Sequence, residues 1–218
     1  MGAPSSGWGN RNMNGRTFHH GTDFPAEIGS PVYTNKPLTV TQATVQTGYG
    51  NVVYAVDNAG TEYRFAHLDG FANGVTPGST IPAGGQIGYT GITGAEKDGS
   101  QTSTGAHLHY EVRRGGQSVD TLTTIDPSTG KPYVNNASFA QDGSSLRNST
   151  AKKDPNYKPN GSSATTPAPG NANKGRDGAT KPPLSQFDKD NKHKEIPGNT
   201  QPQSIRIPRI NPLLKLGD

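Results

Sequence analysis

Between Gly105 and Val112 the chain reads Gly-Ala-His-Leu-His-Tyr-Glu-Val. Leu108, Tyr110 and Val112 alternate with His107, His109 and Glu111, the two-residue period of a β-strand with one face turned to a core. The three polar side chains then leave one face together. Two imidazoles about 7 Å apart along a strand can share one metal ion, or one can bind the metal while the other works beside it. A polar strand face of satisfied histidines has the same pattern, so the pair needs partners elsewhere before it implies chemistry. No segment of the chain sustains the longer period of an amphipathic helix.

The rest of the first half follows suit. Residues 31–33, 38–45, 51–57, 61–67 and 86–90 read as short strands, and Asp57-Asn58-Ala59-Gly60 closes a hairpin. Strands of this length and spacing predict an all-β fold, a compact antiparallel sheet or open barrel. Trp8-Gly9-Asn10-Arg11 is a turn-rich stretch expected near the site rather than in the core. Residues 92–104 are polar and Gly-rich and read as a loop leading into the His-x-His strand.

Composition limits how far that sheet extends. Only 28% of the 218 residues are hydrophobic, with 29 Gly and 18 Pro, too little apolar material for one core built from the whole length. The expectation is one domain over residues 1–140 and a solvated, extended, largely irregular C-terminal tail. Charge splits the same way: residues 1–140 carry 8 Lys+Arg against 10 Asp+Glu, residues 141–218 carry 13 against 7. The basic character belongs to the tail, so nucleic acid would be met weakly and only there. Residues 141–203 read as a Pro/Gly/Ser/Lys-rich linker in which His193 is simply solvated. Residues 204–218 differ. Pro208 and Pro212 forbid a continuous helix, while Ile205, Ile207, Ile210, Leu213, Leu214 and Leu216 call for a partner surface. This stretch reads as a docking peptide for a protein scaffold. No apolar run approaches the roughly 20 residues of a membrane span, and no signal peptide is visible at the N-terminus.

There is no cysteine, so a transition metal must be held by His, Asp or Glu, which suits zinc. A catalytic zinc takes three such ligands and keeps a fourth position for water. His19, Asp23 and His109 would make that set, with a net charge of about +1. His67 and His107 would remain as free imidazoles, suited to take a proton from water and to stabilise an oxyanion or protonate a leaving amine. Singly, His19 and His20 also fit solvent-facing loop residues and His67 a strand-end histidine. Five of the six histidines nevertheless fall in three short clusters of the first half, which favours one common site.

The pieces run in the order Trp8-Gly9-Asn10-Arg11, Phe18-His19-His20-Gly21-Thr22-Asp23-Phe24, Gly29-Ser30-Pro31-Val32-Tyr33 and Gly50-Asn51-Val52-Val53. Phe65-Ala66-His67-Leu68, Gly84-Gly85-Gln86-Ile87-Gly88 and the strand at 105–112 follow. This series resembles the lysostaphin-type (LytM-like) zinc metallopeptidases, peptidoglycan endopeptidases, over about residues 7–127. The resemblance implies an antiparallel β fold with an open groove and one Zn2+ held by His19, Asp23 and His109. It further implies His67 and His107 as catalytic residues, and attack of zinc-bound water on a peptide carbonyl of the cell wall. His20 has the wrong spacing to Asp23 and is left out. Glu111 either supports a neighbouring imidazole or faces solvent. A wall-cutting domain on a tether further suggests a phage virion (tail or tail-tip) component that opens the wall during genome delivery, extracellular or periplasmic where it acts. Two alternatives stand beside it, a bacterial wall-remodelling or secretion-machine hydrolase and a structural assembly protein whose peptidase fold binds glycan.

Overall fold

Turn residues interrupt every apolar run of this chain, and its strands are correspondingly short. The structure, a computed structural model, describes residues 3–13, 16–96 and 99–159. In chain order the strands are β1 (Gly9–Met13), β2 (Arg16–His19), β3 (Thr22–Pro25), β4 (Pro31–Thr34), β5 (Leu38–Gln46), β6 (Gly50–Val56) and β7 (Glu62–Phe71). They continue with β8 (Thr80–Ile81), β9 (Gln86–Thr90), β10 (His107–Arg114), β11 (Gln117–Val119), β12 (Ile125–Asp126), β13 (Lys131–Pro132) and β14 (Ala137–Ser138). One 3₁₀ turn, Tyr133–Asn136, precedes β14, and no α-helix occurs among the described residues. The all-β, antiparallel expectation is met.

Ten strands form the main sheet. β14, β4, β9, β7, β6, β5 and β8 follow one another across it, and β10 pairs with β7, β3 and β11. β1 and β2 form a separate hairpin. The apolar face of β10 packs Leu108, Tyr110 and Val112 into a core with Phe24, Tyr63, Phe65 and Tyr133, all fully buried. Each such side chain contributes roughly 1.5–3 kcal/mol on leaving water. The opposite face of β10, polar in sequence, could have been left open to solvent. It is not: from Leu108 to Val112 every residue is buried, because β7 and β3 flank β10 and Tyr49 and Arg64 reach over Glu111.

Far from that face, Lys36 Nζ donates to Asp57 Oδ2 at 2.7 Å, Asp126 Oδ2 at 2.8 Å and Ser128 Oγ at 2.9 Å. Asp57 and Asp126 are both almost wholly buried. The β6–β7 turn and β12 are thereby tied to one ammonium.

Packed chain continues past residue 140. Leu146 is fully buried and its N–H donates to Ala137 O at 3.1 Å. The Tyr157 ring lies 4.3 Å from that of Tyr89 and covers Gly29, where a Cβ would collide with it. Composition placed residues 141–159 with the linker because two large apolar side chains vanish in a polar average. The remainder of the expected linker, 160–203, and the expected docking peptide, 204–218, lie outside the described residues.

Candidate metal centre

His19 ends β2, and two residues later the chain enters β3, which carries Asp23. The β3–β10 register sets Asp23 directly opposite His109, and the β10–β7 register sets His109 opposite Ala66, next to His67. Three distant segments therefore meet through sheet pairing alone. Gly21 makes the turn between His19 and Asp23 possible, since a Cβ there would stand 2.6 Å from His109 Cε1.

At the meeting point His109 Nδ1 lies 2.9 Å from Asp23 Oδ1, His19 Nε2 lies 3.2 Å from the same oxygen, and the two ring nitrogens are 3.1 Å apart. A tetrahedral zinc site with bonds of about 2.0–2.1 Å has donor–donor edges of about 3.3–3.4 Å. The three donors form a triangle within a few tenths of an ångström of one such face, and they fit one zinc ion. Charge agrees. Burial alone would raise the Asp23 carboxyl, but the hydrogen bond to His109 and the adjoining His19 ring outweigh it and hold the group far below the usual carboxylate range. Burial alone would lower His109, but Asp23 and Glu111 on its two sides hold it at about 9. The arrangement therefore calls for positive charge between His109 and Asp23, which a divalent cation supplies while displacing the proton.

His19 Nδ1–H donates to Gly7 O at 2.7 Å, which leaves Nε2 bare toward the site. His67 and His107 are fixed in the same way, through Nδ1 to Thr93 O at 2.7 Å and to Gly105 O at 2.7 Å. Their rings stand 4.8 Å apart, edge to face, and His107 Nε2 comes within 3.6 Å of Asp23 Oδ1. His67 lies within β7 rather than at its end. Opposite it the β6–β7 register slips, Val53 facing Phe65 but Asn51 facing Leu68. The extra residue makes a bulge in which His67 has φ 59°, the one left-handed non-glycine among the described residues. The bulge turns the imidazole toward His107, and the His67 N–H is satisfied by Tyr49 O at 2.9 Å. Burial first, then the neighbouring His109 and His107, push the His67 pKa down to about 3, so it is an uncharged base at neutral pH.

His19, Asp23, His67, His107 and His109 line one open cleft of about 630 Å³. The structure thus brings together all five residues singled out in the sequence. His20 turns outward, its Nδ1 2.9 Å from Ser118 Oγ. Glu111 resolves to the first of its two readings. Fully buried, it accepts a hydrogen bond from Tyr49 Oη at 2.8 Å, pairs with Arg113 and, at 3.5 Å, with Arg64, and sets Oε2 3.6 Å from His109 Nε2. That ring nitrogen is buried without a hydrogen bond, so Glu111 is its nearest anion. Sequence reasoning missed Tyr49 and Arg64 as the groups that neutralise Glu111. The only sequence signal was the two-residue step from His109 to Glu111, which places both on one strand face.

This donor chemistry on an all-β sheet is that of a zinc metallopeptidase domain. Residues 17–121, just under half of the chain, match Peptidase family M23. A DD-carboxypeptidase/endopeptidase, Mpg, of Neisseria meningitidis is 34% identical over 123 residues, 56% of this chain and 26% of the relative. An L-Ala–D-Glu endopeptidase of Bacillus subtilis is 35% identical over 106 residues, 48% of this chain and 32% of the relative. The chain thus spans about a quarter to a third of the length of these relatives. The solved structure of LytU shares the fold, with a TM-score of 0.51 at 23% identity over 66% of this chain and 92% of that one.

Proposed function

We propose that the chain is a zinc-dependent endopeptidase that hydrolyses peptide cross-links of bacterial peptidoglycan. The observation that carries this reading is the convergence of His19 Nε2, Asp23 Oδ1 and His109 Nδ1, with two tautomer-fixed imidazoles at the edge of the same cleft. The endopeptidase names of the two relatives support the substrate class.

In this reading His19, Asp23 and His109 hold the ion. Zinc, when bound, supplies a Lewis acid that acidifies water and polarises a carbonyl. His67 presents a bare Nε2 from a buried, uncharged ring and takes the proton of the attacking water. His107, more open to the cleft and held through Nδ1 by Gly105 O, offers its Nε2 side to the oxyanion and to the departing amine. Arg11 and the paired Arg16 and Glu96 line the same cleft, where they would face a bound peptide.

The biological setting proposed is a phage virion, tail or tail-tip, with the enzyme acting outside the membrane or in the periplasm. It rests on the basic, Pro-rich composition of the chain after residue 140 and on the apolar stretch 204–218 as the scaffold-docking segment. Wall remodelling, a secretion machine and a glycan-binding structural protein are the competing settings.

Purified full-length protein should release new amino groups from peptidoglycan. Chelation of zinc should abolish the reaction, and His109→Ala or His107→Ala should lower it by at least about 100-fold. Unchanged hydrolysis in either variant refutes the residue assignment. Deleting residues 204–218 should free the protein from particles and leave hydrolysis of purified wall intact.

A further inference from the structure

Trp8 and His20 stand outside the chemistry described above, yet they adjoin it. Trp8 follows Gly7, whose carbonyl fixes His19, and Phe18 and His20 flank His19 in sequence. The Trp8 and Phe18 rings are 5.0 Å apart at 89°, and the Phe18 and His20 rings 4.9 Å apart at 49°. Phe18 and His20 also line the cleft, so the row of three rings leads outward from its mouth. Among the described residues Trp8 is one of four exposed large hydrophobic side chains, 36% accessible, and the only aromatic of the four.

Hydrogen bonds hold the row from β11. Trp8 Nε1–H donates to Ser118 Oγ at 3.0 Å, and the same hydroxyl lies 2.9 Å from His20 Nδ1. With Ser118 accepting from the indole, its own hydroxyl hydrogen is available to His20 Nδ1, and in that arrangement His20 carries its ring proton on Nε2. A single serine thus fixes an indole and an imidazole, both of which remain exposed to solvent. The surface combines flat apolar rings with an N–H donor at one edge. Its chemical complement is a ligand with an apolar face and a rim of hydroxyl and acetamido acceptors.

We infer that Trp8, Phe18 and His20, pinned by Ser118, form a saccharide subsite that stacks a pyranose ring of the glycan strand. The inference rests on the peptidoglycan reading of the cleft and adds a second point of attachment to it. Three or four extended peptide residues span at most about 10–14 Å. A sugar stacked one residue from His19 is therefore within reach of a short peptide whose bond lies at the metal.

Trp8 is the sole tryptophan, so its emission reports the subsite directly. The full-length chain is titrated with a β-1,4-linked N-acetylglucosamine tetramer. The expected result is a saturable change in emission, weakened roughly five- to ten-fold in Ser118→Ala and lost in Phe18→Ala, both of which retain Trp8. No saturable change up to about 10 mM, or the same titration curve in Phe18→Ala, overturns the inference. The second measurement compares cross-linked peptides still attached to glycan with the same peptides released from it. Trp8→Ala should lower the ratio of kcat/KM for attached over released substrate about ten-fold, and an unchanged ratio overturns the inference. If neither substrate is cut by the parent chain, the peptidase reading fails and the emission titration alone decides the subsite.

Discussion

Replacing Glu111 with glutamine changes one atom and removes one charge at the back of the metal centre. The two carboxylate oxygens have different duties. Oε1 takes the Arg113 and Arg64 guanidiniums, and Oε2 takes the Tyr49 hydroxyl and faces His109 Nε2. An amide must put its NH2 on one side or the other. On the Oε1 side it meets two guanidiniums, donor against donor. On the Oε2 side it meets His109 Nε2 and favours the tautomer with the proton on Nδ1, which removes the lone pair that faces Asp23. Either orientation should weaken zinc binding by about 10- to 100-fold, equivalent to about 1.4–2.8 kcal/mol. Global stability should fall by about 1–3 kcal/mol, the usual cost of an unmet charged hydrogen bond. It should not fall further, because Arg64 keeps Glu62 at 2.6 Å and Arg113 keeps Gly116 O at 2.7 Å. Zinc affinity is measured by competition with a chromogenic chelator and stability by urea unfolding of the stripped protein. Glu62→Gln, which alters an Arg64 partner remote from His109, is the control. A folded Glu111→Gln protein that binds zinc as tightly as the parent would refute the claim that this carboxylate sets His109.

Three further outcomes are expected. Burial would raise Asp126 and Asp57, but hydrogen bonds led by Lys36 outweigh it, lowering Asp126 to about 2 and Asp57 in the same direction. Depressed folded-state values stabilise above the ordinary carboxylate pKa, so acid unfolding should remove about 2 kcal/mol between about pH 4 and pH 2; Lys36→Met should abolish this acid-labile increment in urea titrations across that range. Gly21→Ala should weaken zinc binding by at least about 10-fold, because its Cβ would meet His109 Cε1 at 2.6 Å and Tyr110 O at 2.8 Å. Gly7→Ala, with open space around the added carbon, should bind zinc as the parent does. Leu146→Ala should cost about 2–4 kcal/mol in the same unfolding assay, whereas a residue in a solvated linker would cost almost nothing.

The strand at 107–112 and the hairpin at 57–60 were readable because their signals are local. Alternation sets the period of β10, and the chain turns where expected, with Asp57 N–H donating to Thr61 O and Gly60 at φ 75°. The five site residues were readable because histidine and aspartate at metal spacings are few in this chain. What stayed hidden depends on contacts between distant segments. Nothing near His67 announces a left-handed backbone, since its bulge is held by Tyr49 and Thr93, 18 and 26 positions away. The sequence left Glu111 between supporting an imidazole and facing solvent, because Tyr49, in the β5–β6 turn, and Arg64, on β7, are distant from it along the chain. Leu146 and Tyr157 disappeared into a polar average, although together with main-chain bonds to Ala137 and Gly29 they hold residues 141–159 to the sheet.

Main-chain oxygens make the shortest contacts to Nδ1 of three of the five residues: Gly7, Thr93 and Gly105 hold His19, His67 and His107 at 2.7 Å. Thr93 and Gly105 bracket the Gly-rich segment between β9 and β10, so each end of that loop steadies one proton-handling ring. A carbonyl survives any substitution of its residue, and the tautomers are therefore insulated from sequence drift. Within the loop Gly94 and Thr102 are packed against His67 and Gly48, so tolerance to change is expected away from those two positions. If the proposed reading holds, substrate preference is tunable in that segment while the imidazoles at its two ends keep their tautomers.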